Sequence, residues 1–247
     1  MRLPVIRGVI DRRILVNYRV QADAASQLLP PPFRPKLVHG YAIAGICLIR
    51  LKQVRPSFLP LRAGIGSENA AHRFAVEWER DGEVHEGVFI PRRDSSSRLN
   101  ALLGGRLVPG EHHHARFEVA ENESRLSVGL QSDDGLVQVK VVGQVADRLP
   151  SDSIFASLEE SSHFFEAGSI GYSATANANR YDGLELCCKS WAVQPLAVEE
   201  VHSSFFDDTA KFPSGSAIFD CALLMRGVEH EWHSREDLCC DATVAVH

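Results

Sequence analysis

Lysine is scarce in this chain. Five lysines (36, 52, 140, 189 and 211) stand among 26 basic residues, which leaves 21 arginines, and no lysine falls between Gln53 and Val139. That gap excludes an amine nucleophile from the middle of the chain, because imine chemistry needs a primary amine. A surplus of positive charge is also missing. The formal net charge is −6 and the pI is near 6.0, so nucleic acid, which demands a basic face, is not an expected partner. No apolar run reaches the roughly 18 residues of a membrane-spanning helix. Met1-Arg2-Leu3-Pro4 opens the chain without the apolar core of a signal peptide. A cytoplasmic protein with no membrane partner is therefore expected. The six cysteines (47, 187, 188, 221, 239 and 240) never adopt C-x₂-C spacing. Zinc-site and disulfide-framework readings fall away, and free thiols in a reducing compartment are expected. No glycine-rich phosphate loop occurs, and no cofactor is assigned.

What is present reads as a single β-dominated domain over 1–247. Hydrophobic residues make up 45% of the chain, ample for a sizeable core. Ile14 to Val20 is rich in β-branched residues, as a strand requires. Leu37 to Leu51 is long and apolar, with Gly40 and Gly45 marking a bend or a close backbone approach. His72 to Glu79, a turn at Arg80-Asp81-Gly82-Glu83, and Val84 to Ile90 form a hairpin. Further strands are expected over 112–119, 125–131, 136–146, 170–178, 184–188, 191–198 and 217–228. Serine caps and glycine stops predict two main helices near 94–104 and 153–167, besides a short one from Asp23 to Leu29 ended by three prolines. Glu229-His230-Glu231-Trp232-His233 lacks helical ligand spacing and reads as a solvated segment.

The stretch from Gly104 to Val119 carries the densest chemistry. Strand alternation puts His112, His114, Arg116 and Glu118 on a solvated face, and His113, Ala115, Phe117 and Val119 on a buried one. His113 is thus the candidate acid–base residue. Arg73 and Arg106 are candidate substrate anchors, since a planar guanidinium grips a carboxylate in two places. Glu77 shares a strand face with Arg73 and is its candidate ion-pair partner. His112 and His114 are spaced as two metal ligands can be, but the sequence places no third, so no metal is assigned.

Arg73 opening a strand, Glu86-Gly87-Val88-Phe89-Ile90, Arg106 and Pro109 ahead of His113-His114-Ala115, Ser157-Leu158-Glu159, and Trp191 with Pro195-Leu196 occur in the order of a known family. Together they resemble the YqjF-like family of uncharacterised conserved proteins over nearly the whole chain. The resemblance implies an acetoacetate decarboxylase-like fold, with long curved antiparallel strands in a barrel around a cavity and a few flanking helices. It also matches Arg106 to a charged site residue of the decarboxylase. The decarboxylase carries Gly-Arg-Glu, a turn and Pro-Lys-Lys at this point. Here Gly105-Arg106 is kept, Leu107 replaces the glutamate, and Glu111-His112-His113 stands near the lysine pair. Imidazole cannot form the iminium, so acetoacetate-type decarboxylation is not expected. The leading expectation is a protein that binds a small, carboxylate-bearing molecule in its cavity. The alternatives are a lyase or hydrolase using His113 with Arg106 as anchor, and a scaffold whose cavity is filled by its own side chains.

Overall fold

The computed structural model describes residues 4–60, 64–103, 110–177 and 179–239. Their strands form one fourteen-stranded sheet. In chain order they are β1 (Ile6–Gln21), β2 (Arg34–Pro35), β3 (Leu37–Val38), β4 (Tyr41–Pro56), β5 (Ile65–Arg80), β6 (Glu83–Ser95) and β7 (His112–Glu121). They continue with β8 (Arg125–Ser132), β9 (Gln138–Val145), β10 (Ile170–Ala174), β11 (Arg180–Cys188), β12 (Gln194–Ser203), β13 (Ala217–Ser234) and β14 (Leu238–Cys239). Helices α1 (Ala22–Leu28), α2 (Arg98–Leu103) and α3 (Leu158–Ala167) are short. The expectation of a mainly β domain of long strands with a few flanking helices holds.

β1 is the axis of the sheet, antiparallel to β13 on one side and β4 on the other. β4 pairs with β5, and β5 with β6 through a two-residue turn in which Asp81 and Gly82 take positive φ, the backbone of a tight hairpin. From β6 the ladder continues through β7, β8, β9 and β12 back to β13, so the sheet curves round on itself. Only β6–β7 and β6–β10 are parallel among the described pairings.

Alternation gives this sheet two apolar faces. Ile14, Val16, Ile46, Phe74, Val76 and Trp78 lie in the large inner cluster, with Phe33 and Phe206 packed among them. Leu15, Ile43, Ala75 and Leu223 face the other way, against Phe155 and Phe165 from α3 and the segment before it.

Among the element boundaries that differ from expectation, three have a visible cause. Asp94 and Ser95 remain in β6, where Asp94 pairs across to His113; the cap of α2 is Ser97, whose hydroxyl accepts from the Asn100 N–H at 3.2 Å. Helix α3 begins at Leu158 because Ser157 caps it, accepting from Glu160 N–H at 3.1 Å, while Ser153 is spent on Asp220 at 2.7 Å. The segment read as solvated, 229–233, continues β13 between β1 and β11, which leaves His230 only 2% exposed.

Candidate functional site

The outer face carries a cavity of about 40 Å³ between the sheet and α3. At roughly 10–15 Å³ per water-sized group, it holds about three such groups. Its walls include Arg13 from β1, Lys36 from the segment between β2 and β3, Arg73 from β5, Glu86 from β6, and Phe164 and Phe165 from α3.

Arg73 is placed by the strand beneath it. Asn17, Gly45 and Arg73 stand side by side on β1, β4 and β5. Gly45 has no side chain to block the way, and Arg73 Nη2 crosses over it to donate to Asn17 Oδ1 at 2.6 Å. The guanidinium lies over the Phe165 ring at 5.0 Å. It is 4% exposed and its Nε has no partner. Burial, and then the neighbouring Arg13 charge, pull Arg73 down to about 10, so it stays cationic at neutral pH. Arg13 lies 5.8 Å from the Trp191 ring centroid, donates from Nε to Cys47 Sγ at 3.2 Å, and leaves a buried Nη1 unpartnered. Lys36 lies over Phe164 at 4.9 Å and is ion-paired with Glu86. Arg93 extends the positive cluster, donating to Ser173 Oγ at 2.9 Å, and burial pulls it down to about 10.

The sequence candidates do not all meet here. Arg73 lines the cavity. Glu77 is not its partner: it bonds Arg34, the residue opposite it on β2, at 3.2 Å, and Arg73 turns to Asn17 instead. Arg106 lies outside the described residues. Ala115 is buried and Phe117 and Val119 pack on the inner core, as alternation requires, but His113 sits at the strand's open end. Its side chain is 38% exposed and its Nδ1 is 3.3 Å from Asp134 Oδ2. The more desolvated neighbour is His112, which burial, and then the Arg93 charge, pull to about 4. His112 Nδ1 pairs with Gly110 O, and His114 Nδ1 with Asp133 Oδ2. No group of three or more metal-ligating side chains occurs among the described residues. Arg13 and Lys36 escaped the sequence reading, because they come from distant segments and only the fold joins them to Arg73.

A family model described as "Uncharacterized conserved protein", DUF2071, matches residues 10–227. The chain belongs to the DUF2071 family. No curated protein matches it. Among solved structures it is similar to acetoacetate decarboxylase from Legionella pneumophila subsp. pneumophila str. Philadelphia 1, with 12% identity, a TM-score of 0.60, and 95% of this chain and 88% of that one covered. It is also similar to the enduracididine biosynthesis enzyme MppR complexed with pyruvate, at 14% identity and a TM-score of 0.59 over 97% and 91% of the two chains. A third is an acetoacetate decarboxylase-like enzyme from Sphingomonas wittichii RW1, at 9% identity and 0.59 over 96% and 93%. These likenesses establish a shared fold for this DUF2071 member.

Proposed function

We propose that this DUF2071 protein binds a small organic carboxylate in the cavity between its sheet and α3, with Arg73 and Arg13 gripping the anion. The observation that carries this reading is a contrast among its arginines. Buried Arg12 is matched by two carboxylates, Glu68 at 2.5 Å and Glu121 at 2.9 Å. Arg92 is likewise matched by Asp94 and Asp134, each at 2.8 Å. The two cavity arginines, Arg13 and Arg73, have no carboxylate within ion-pair distance among the described residues, whereas Arg93, outside the cavity wall, feels the charge of Asp182. A buried charge without a counter-charge is costly, and an incoming carboxylate removes that cost while taking up the free guanidinium N–H groups. The roughly three water-sized places of the cavity match a carboxylate group itself, so the short remainder of the ligand projects from its mouth. The pyruvate held by the structurally similar MppR is of that class.

Titration calorimetry with pyruvate tests the reading. Pyruvate should bind, and Arg73→Gln should weaken it by roughly 30-fold or more, as expected for a buried charge pair losing one member. Arg13→Gln should act in the same direction if Arg73→Gln disturbs folding. Equal binding by the neutral amide of pyruvate, or unchanged affinity in both variants, would overturn it.

A further inference from the structure

Cys47 is a free, buried thiol on the outer face of β4, two residues from Gly45 and opposite Leu15, which lines the cavity. Arg13 Nε donates to its sulfur at 3.2 Å. Arg73 and Arg93 are close enough for their charges to act on it. The other described thiols have different surroundings. Cys221 is pushed up to about 12 by burial and the nearby Asp220, and burial with Glu185 pushes Cys187 up. Burial also pushes Cys188 up, against the opposing charge of Arg13. Among the described cysteines only Cys47 receives a hydrogen bond from an arginine. Electropositive surroundings of this kind are where cysteines act as nucleophiles. An independent observation points to a ligand beside it: Arg73, more than nine-tenths buried, carries an unpartnered Nε and lines the cavity together with Arg13, the residue that joins Cys47 to that wall.

We propose that Cys47 is a nucleophile of this site, acting on small carboxylates that carry an electrophilic carbon next to the carboxylate. The proposal rests on the carboxylate reading above. Arg13 and Arg73 hold the anion, and the Cys47 sulfur supplies the electron pair of a new S–C bond. With a 2-haloacetate the carbon–halogen bond breaks and halide leaves with its pair, while the thiol proton passes to water. With a 2-oxo acid the carbonyl π pair moves to oxygen, which takes a proton from water, and the product is a hemithioketal.

Iodoacetate and iodoacetamide provide the test, since they deliver the same electrophilic carbon with and without a carboxylate. The intact protein is treated with each, and alkylation is read cysteine by cysteine from peptide masses. Exposed Cys239 calibrates the intrinsic difference between the reagents. At Cys47 the preference for iodoacetate should exceed that at Cys239 by roughly tenfold or more, the scale on which a cleft of one charge concentrates counter-ions. Acetate in excess should protect Cys47 and leave Cys239 reactive. Equal preference at the two cysteines, or no labelling of Cys47 by either reagent, would overturn the proposal. If pyruvate still binds both the wild type and Cys47→Ala in that case, only the role of the thiol is lost. If wild-type protein binds no pyruvate, the carboxylate site itself is lost.

Discussion

At Asn17, Gly45 and Arg73 three strands meet with one side chain missing from the middle. A Cβ built on Gly45 would stand 2.1 Å from the Val16 carbonyl oxygen, a backbone atom that cannot swing away. Glycine is therefore required by the approach of β1 to β4, and the same gap lets the Arg73 guanidinium cross to Asn17. Gly45→Ala forces these strands apart. It should cost about 1–3 kcal/mol, the usual cost of overpacking, read as a lower urea midpoint at unchanged slope. It should also weaken pyruvate binding, because Arg73 loses its seat. A variant as stable as the wild type would show that the strands have slack there. The glycine's meaning was legible in the sequence as a close backbone approach. Its partner Asn17 was not, since side-by-side placement depends on register across three strands.

Among the elements, the segment around β2 does something that no local reading of the chain reveals. Arg34 and Pro35 pair with Glu77 and Val76, and the Lys36 N–H donates to Ala75 O at 3.0 Å. This edge pairing carries a lysine from before β4 into the cavity wall beside Arg73. The lysine-free stretch from Gln53 to Val139 thus does not empty the cavity of amines. Lys36 nevertheless differs from a Schiff-base lysine in its setting. It is held in an ion pair with Glu86 and lies over an aromatic ring, whereas attack on a carbonyl requires the free amine. Borohydride added with pyruvate or acetoacetate should accordingly leave no adduct on Lys36 by peptide mass, and no carbon dioxide should be released. A reduced adduct on Lys36 would reverse the case against imine chemistry. The hairpins, the long strands and the closing glycine of α3 were legible because alternation and turn residues are local signals. The entry into α3 is not legible from these signals, because Ser153 and Ser157 are equally good caps in sequence, and tertiary bonding of Ser153 to Asp220 decides between them. Alternation directs His113 to the interior face, but it does not fix how far the sheet covers that face at its end, where the side chain is 38% exposed.

For the molecule as a whole, neutral histidines in the fold set its response to acid. His72 is fully buried, its ring 4.8 Å from Phe205 and both ring nitrogens without a partner. Burial, and then the charges of Arg92 and Lys211, hold it down to about 3. Burial likewise holds His112 and His230 down to about 4. All three lie below the 6.5 of a free histidine. As pH falls below 6.5, the unfolded chain takes up protons that the folded chain refuses, so stability is intact above that value and is lost progressively down to about 4. Each histidine contributes a slope of at most about 1.4 kcal/mol per pH unit. Below pH 4 a second loss begins, because Asp134 is held down to about 2 by hydrogen bonds from Ser132 and Leu136 and by Arg92, against the opposing effect of burial. Urea unfolding followed from pH 7.5 to 4.5 should show a level region and then a decline whose steepest part corresponds to up to three protons taken up on unfolding. His72→Phe removes one of these and also the two unpartnered nitrogens. It should reduce the slope by about a third and raise stability near pH 5 more than at pH 7.5. A level profile down to pH 5, or a slope unchanged in His72→Phe, would mean that these imidazoles find partners in solution that keep them protonated within the fold.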